Sequence, residues 1–349
     1  MKQVLIELGS TVYSEALVLS FVHLCWKTEF SCSTLALHET RGITFRMLKN
    51  RKGNAAVPKL SVVIPTLNGE KELPNLLKQL ENQTRFADEI VIVDSASDDH
   101  TCEIAASYPG VRIIDIERNS FNHGLTRDLA LRESIGDYVA FLTQDAVPAN
   151  DFYLEKLTEL LDLDPQIALV SGRQLPKEDA RRFERLVRDY NYPNQSNVRT
   201  LNDLSRLGIK TYFASDVCSC YRRSTYFEVG GFEKVNTNED MLMAARLLKA
   251  GYKIAYDADA KVVHSHNLTP IQQFKRNREV GEFLAKYNAE LNVPDEIGEG
   301  SRLVKDVFTS LLREGDYSEV FAFIFDCAAR LIGNRVGRLS SHRKAHNDN

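Results

Sequence analysis

The sequence predicts an α/β protein, a doubly wound and mostly parallel sheet followed by a helical C-terminal extension. Three observations predict it. From Lys59 onward, short apolar runs alternate with segments of helical periodicity, the pattern of strands joined by crossover helices. Each of the first four runs stops at a cluster of polar residues, as in open sheets that bind a ligand at their strand carboxyl ends. From 301 to 338 two further helical segments follow, with no strand between them.

The elements follow in order. Residues 60–64 (Leu-Ser-Val-Val-Ile) read as a buried strand ended by Pro65. The segment 70–83 is helical, with Leu73, Leu76, Leu77 and Leu80 on one face. Pro74 fits there only because it falls in the first turn or so. Residues 89–93 form the second strand, and the loop 94–99 (Asp-Ser-Ala-Ser-Asp-Asp) offers Asp98 or Asp99 to start a helix through Ala106. A strand over 111–116, a helix over 126–134 and a strand over 138–142 complete the regular part. In the second half, 152–161 is an amphipathic helix, 167–171 a strand, 177–190 a charged helix and 191–202 a polar, mobile loop. Residues 212–222 alternate like a strand, Gly230-Gly231-Phe232 is a turn, and 239–250 is a helix stopped by Gly251. Short strands at 252–256 and 260–264 precede a helix that begins at Pro270.

With 349 residues, the chain can hold one large α/β domain and its appendages. The boundaries read as an N-terminal extension over 1–57, a main domain over 58–290 and a helical, basic-tailed region over 291–349. The extension lacks the regular alternation of the main domain, and a basic polar run trails Met47. The natural start is therefore expected at Met47, with the first 46 residues a poorly ordered or over-extended segment. A net charge of −4 excludes a nucleic-acid binder on charge grounds. The six cysteines form no CxxC pair and no zinc spacing, which points to reduced, buried thiols, with Cys218 and Cys220 on one strand face. No apolar run reaches the ~20 residues of a membrane span. The longest, 16–26, is broken by Ser20 and His23 and lacks a cleavage site, so a cytoplasmic location is expected.

The chemistry collects at strand ends. Thr66, Asn68 and Glu70 follow the first strand, and Asp94 and Ser95 the second. Asn119, Phe121, Asn122, His123 and Gly124 follow the third, with Arg127 one helical turn on. Gln144 and Asp145 follow the fourth. Four such ends in a row outline a nucleotide-sized pocket. No G-x-G-x-x-G and no G-x-x-x-x-G-K-[ST] occurs, so phosphates would need a metal and cationic side chains instead of a glycine-rich cradle. Asp145 is a candidate ligand for a hard cation carrying a diphosphate; the alternative is a strand-ending acid that caps the next helix.

The motifs Val62-Val-Ile-Pro-Thr-Leu-Asn-Gly-Glu70, Val93-Asp94-Ser95, Gly136-Asp137-Tyr138 onward to Asp145, Gly230-Gly-Phe232 and Asn238-Glu239-Asp240 together resemble family 2 inverting glycosyltransferases of the GT-A fold. Ser120-Phe-Asn-His-Gly-Leu-Thr-Arg127, Leu142-Thr-Gln-Asp-Ala146 and Val263-His-Ser-His-Asn267 resemble their bacterial rhamnosyltransferase branch. The resemblance spans residues 58 to about 285. It implies that Thr66, Asn68, Glu70, Ser95, His123 and Gln144 line the donor site, that Asp94 bonds a pyrimidine ring N–H, and that Arg127 faces the diphosphate. It implies Asp145 and His264 as ligands of a divalent metal, magnesium or manganese, although Thr143 stands where the family's first Asp usually does. His266 shares a strand face with His264 and can reach the same point. Asp240 is implied as the general base that takes the acceptor hydroxyl's proton, with Glu239 orienting the acceptor. Asp216, Tyr221, Arg222, Arg276 and Arg278 are weaker candidates for contact with sugar, acceptor or diphosphate.

The implied reaction moves a sugar, foremost rhamnose from a dTDP-linked donor, onto a hydroxyl of a glycan or lipid-linked glycan of the bacterial surface. A UDP-linked hexose or furanose donor is the rival within the class. A catalytically silent nucleotide-sugar-binding module is the rival outside it. The C-terminal region pairs apolar stretches such as 320–325 with Arg330, Arg335, Arg338, Arg343 and Lys344, which suggests peripheral contact with an anionic membrane.

Overall fold

The computed structural model describes residues 57–292 and 297–347. The expected start at Met47 and the expected character of the first 46 residues lie outside them.

The first half follows the predicted alternation: β1 (Leu60–Thr66), α1 (Leu73–Glu81), β2 (Glu89–Asp94), α2 (Thr101–Ala106), β3 (Val111–Asp115), α3 (His123–Glu133), β4 (Tyr138–Leu142) and the short β5 (Val147–Pro148). The second half contains α4 (Tyr153–Leu163), β6 (Ile167–Leu175), α5 (Arg182–Asn191), β7 (Asn197–Arg199), α6 (Leu204–Leu207), β8 (Cys218–Arg222), α7 (Arg223–Glu228), α8 (Glu239–Lys249) and β9 (Lys253–Val263). The helices α9 (Pro270–Lys286), α10 (Asn288–Leu291), α11 (Ile297–Glu314) and α12 (Tyr317–Asn347) close the chain.

One sheet runs β3-β2-β1-β4-β8-β6-β9-β5, with β7 also on β9. β1 to β4 are mutually parallel. Beyond them the sheet is mixed: β8 lies antiparallel between β4 and β6, and β6 is parallel to β9. The carboxyl ends of β1, β2 and β4 therefore share one edge, while β8 begins there and runs away from it.

Alternation along β1 divides the core. Leu60, Val62 and Ile64 face a layer with Leu73, Leu76 and Leu77 of α1 and Tyr153 and Leu157 of α4. Val63 faces the other way, toward Leu131 of α3 and Leu242 and Leu248 of α8. Both faces are covered, which is why the central parallel strands read as continuous apolar runs. Pro74 sits in the first turn of α1, where its missing N–H costs nothing. Cys218 and Cys220 are buried free thiols in the same apolar layer.

Four expectations change. The strand expected over 212–222 is confined to Cys218–Arg222, because 208–212 is a 3₁₀ turn and the Cys218 N–H closes a turn onto the Ser215 carbonyl. The two strands expected at 252–256 and 260–264 are one strand, β9, with an irregularity where its register on β6 shifts between Gly172 and Arg173. A Cβ on Gly172 would overlap the Ala260 carbonyl there. The loop expected over 191–202 contains β7, which pairs with β9 at Asn197↔Tyr256. The charged helix starts at Arg182, five residues later than 177, since Lys177 turns toward the site.

At the C-terminus, α9 and α12 meet along their lengths. A Cβ on Gly281 would overlap the Asn334 carbonyl, one on Gly333 the Phe274 carbonyl, and one on Gly337 the Arg278 carbonyl. Backbones this close require glycine at all three positions. Among the described residues no helix is long and apolar enough to cross a membrane.

Candidate active site

The loops after β1 and β2 form the first wall. The Thr66 hydroxyl donates to Asp94 Oδ1 at 2.9 Å, and the Ser97 N–H and hydroxyl donate to the same carboxylate at 2.8 and 2.6 Å. Asn68 accepts from the Asp98 N–H and donates its own N–H to Ser97. Glu70 accepts from His100. Asn68 and Ala96 hold φ angles of 50° and 57°, a strained pair in facing loops. Asp94, expected to bond a pyrimidine, is buried and engaged in holding this wall together. The buried Ser95 hydroxyl beside it has no hydrogen-bond partner among the described residues. Gln144 joins the wall to β4, accepting from the Leu67 N–H and donating to its carbonyl.

Asp145 carries the centre of the site. Its Oδ2 lies 3.5 Å from His264 Nε2 and 3.4 Å from His266 Nε2, and the two Nε2 atoms are 3.1 Å apart. Three ligands on one side of an ion at about 2.1 Å stand about 3 Å or slightly more from one another, so this triangle fits a divalent cation. The protonation pattern fits as well. His264 Nδ1 lies 2.9 Å from Gln174 Oε1, and Arg188 donates to that same oxygen at 2.5 Å. Arginine only donates, so the atom is the amide oxygen and Nδ1 carries the hydrogen. Burial, outweighing the pull of Asp145, drives the His264 pKa down to about 3. The ring is therefore neutral, with its Nε2 lone pair aimed at the triangle. Lys177 Nζ lies 3.6 Å from the same Asp145 oxygen.

The third group is a buried acidic cluster. Asn238, at φ 61°, precedes α8 and sets Glu239 and Asp240 in its first turn. Asp240 Oδ1 accepts from the Met241 N–H at 2.7 Å, and Oδ2 from the Asp216 N–H at 3.3 Å. Arg127 Nη1 pairs with Glu239 at 2.9 Å, and its Nε lies 3.9 Å from Asp216. Burial, with Glu239 and Asp216 adding to it, lifts the Asp240 pKa well above the carboxylate range. Burial likewise lifts Asp216 to about 6, against the opposing pull of Arg127. A cavity of about 300 Å³ has His264 and His266 on its lining together with Asn238. It places the two histidines of the triangle and the residue that precedes the acidic turn of α8 around one space.

The model of the family described as glycosyl transferase family 2 matches residues 61–230. An O-antigen chain rhamnosyltransferase of Salmonella typhimurium, RfbN, is 38% identical over 80% of this chain and 90% of its own length. The chain belongs to glycosyl transferase family 2. The O-antigen chain rhamnosyltransferase WbaN of Salmonella anatum is equally similar, at 38% over 81% of this chain and 90% of its own. Among solved structures, the mannosyltransferase PcManGT of Pyrobaculum calidifontis, in complex with GDP-Man and Mn2+, superposes with a TM-score of 0.57. It covers 81% of this chain and 87% of that one at 18% identity, a likeness of fold.

Not every expected residue lies at the glycosyltransferase's site. Arg222 is at the far edge of the sheet, because β8 runs antiparallel to β4 and pairs Arg222 with Tyr138. Its guanidinium bonds the Leu161 and Ile167 carbonyls. Arg278 pairs with Glu282 on α9 and does not line the cavity, whereas Arg276, two residues earlier, does. Arg127 is buried against Glu239 instead of facing open space, so it steadies the acidic cluster. Asp216 lies in the turn before β8 and binds the Ser219 and Tyr221 hydroxyls; Tyr221 is fully buried beneath it. His123 stands near Arg127, its Nδ1 3.2 Å from Nη1. Four site residues carry no sequence motif: Gln174 and Lys177 near the end of β6, and Glu184 and Arg188 on α5. The i, i+4 spacing of Glu184 and Arg188 was the one available signal, since it allows the 2.6 Å ion pair they make.

Proposed function

We propose that this glycosyltransferase transfers a sugar with inversion from a nucleoside-diphosphate donor, specifically rhamnose from dTDP-rhamnose, to a hydroxyl of a bacterial surface glycan, and that it uses a divalent metal. The observation that carries the proposal is the convergence of Asp145, His264 and His266 on one point, with the two histidines also lining a cavity beside Asn238, the residue before Glu239 and Asp240. The two relatives named as O-antigen chain rhamnosyltransferases support the sugar and the acceptor class. Two imidazoles beside one carboxylate favour manganese over magnesium.

In this mechanism the walls after β1 and β2 hold the nucleoside, with Thr66, Asn68, Glu70, Asp94 and Ser95 shaping the pocket and the Ser95 hydroxyl free to bond the donor. Asp145, His264 and His266 would hold the metal, whose positive charge would be available to stabilise a diphosphate leaving group. Arg276, on the cavity lining, adds positive charge beside it. Asp240 accepts the proton of the acceptor hydroxyl as its oxygen bonds the anomeric carbon and the bond to the diphosphate breaks. One displacement inverts that carbon, and no second carboxylate serves as nucleophile. The acceptor is a glycan or lipid-linked glycan entering through the cavity, and the C-terminal region rests on the membrane that carries it.

The test is thermal stabilisation by a panel of nucleotide sugars, with and without manganese. Stabilisation selective for dTDP-rhamnose and dependent on manganese is expected. Equal stabilisation by every pyrimidine diphosphate sugar sinks the rhamnose assignment in favour of another donor. No response to any of them overturns the donor site itself, and stabilisation without transfer to any acceptor identifies a silent module.

A further inference from the structure

The helix α12 is apolar on opposite sides. One side carries Val320 and Phe323, buried against Phe183 and Val187 of α5 and Val307 and Leu311 of α11. The other side is bare. Tyr317, Phe321, Phe325 and Leu339 are each 64–65% exposed, and Ile332 is 55% exposed between them. These residues recur at helical spacing and form one stripe, roughly 33 Å long at 1.5 Å per residue. Aromatic and aliphatic surface of this extent is not left to water in an ordinary soluble domain. A helix apolar on both sides calls for cover on both.

The charge beside the stripe says what covers it. Between Cys327 and Asn347 the sequence carries Arg330, Arg335, Arg338, Arg343 and Lys344 and no acidic residue, and of these Arg330 is turned to the opposite side of the helix. Arg335 is exposed beside Ile332 and Val336 on the bare side. The last two acids of the helix are already engaged, Glu319 with Arg181 and the buried Asp326 with Arg330. A second copy laid on this stripe would offer Arg335 no free acid of the helix, since both are engaged. Anionic headgroups would neutralise it while the aromatic rings enter the acyl boundary.

We propose that α12 lies flat on an anionic bilayer with the Tyr317–Leu339 stripe as the contact. The opposite side of the same helix supplies Arg330 to the lining of the 300 Å³ cavity. The cavity then stands about one helix diameter, ~10 Å, above the lipid surface. An acceptor glycan can enter it while its lipid anchor remains in the membrane. The purpose given to the contact rests on the transfer reaction proposed above; the contact itself is measured without substrate.

The experiment is co-sedimentation of the full chain with phosphatidylcholine vesicles, with and without phosphatidylglycerol. Binding is expected only with phosphatidylglycerol and is weakened by salt. The double variant Phe321→Asp/Phe325→Asp should bind roughly tenfold or more weakly, and Arg335→Glu severalfold more weakly. Both should keep the wild-type melting temperature and its response to nucleotide sugars, which separates loss of the surface from failure of the donor reading. Absence of wild-type binding overturns the proposal, as does binding that Phe321→Asp/Phe325→Asp leaves unchanged. A wild-type dimer that this double variant makes monomeric would assign the stripe to a second copy instead.

Discussion

A single amide orients His264, the histidine proposed to face the metal. Gln174 Oε1 accepts from both His264 and Arg188, while its Nε2 donates to Ser215 at 2.8 Å. Every polar atom of that side chain is engaged, so His264 is held in one tautomer and one ring plane. Gln174→Ala should weaken manganese binding by about 10–100-fold, measured by titration calorimetry, while the lost buried hydrogen bonds lower the melting temperature without metal only by the few degrees a space-filling change there would also cause. A residue that only filled space would not separate those two readings. Asp240 makes a second prediction. Its pKa is raised, so it is protonated and inactive as a base at low pH and gains function as pH rises through that raised value. The rate of transfer should therefore climb along a limb above the usual carboxylate range. Asp240→Asn should lower kcat by about 10²–10⁴-fold, remove that limb and preserve the stabilisation by donor.

At the scale of elements, the glycine contacts between α9 and α12 are the sharpest constraint. Gly281→Leu should force the helices apart and cost about 1–3 kcal/mol, read as a lower melting temperature and a lower denaturation midpoint. How much of the fold was legible differs along the chain for physical reasons. β1 to β4 and α1 were readable because each is specified locally: the strands by unbroken apolar runs, α1 by leucines at helical spacing and a proline confined to its first turn. β7 was not, and β8 and the irregular β9 were readable as strands but not in their limits. Their limits are set by partners far away in sequence, such as Tyr256 opposite Asn197 and Ala260 against Gly172. The site divides the same way. Asp145 sits at a strand end, where position made it a candidate, and the family resemblance, not position, pointed to His264 with His266 on the same face. Arg127 was implied as a phosphate ligand by the family resemblance, and only packing shows it buried against Glu239.

Across the whole molecule, the acidic cluster works against stability. Asp216 has its pKa raised to about 6 in the folded chain. A raised carboxylate contributes stability that is fully present below its ordinary value of 3.8 and is lost as pH rises through about 6. Thermal unfolding measured from about pH 4 to about pH 8 should therefore show Asp216→Asn gaining on the wild type as pH rises, with a flatter profile overall. The two apolar layers on either side of the sheet tolerate that cost and keep the strained acids in place.

The glycines at 281, 333 and 337 have one more consequence. With no side chains between their backbones, α9 and α12 cannot slide or roll independently; together they act as a splint. One end of that splint begins at Pro270, four residues past His266, and its flank carries Arg276 over the cavity. Whatever steadies the outer helix thus stiffens the rim of the catalytic pocket, with no hinge in between to absorb the motion.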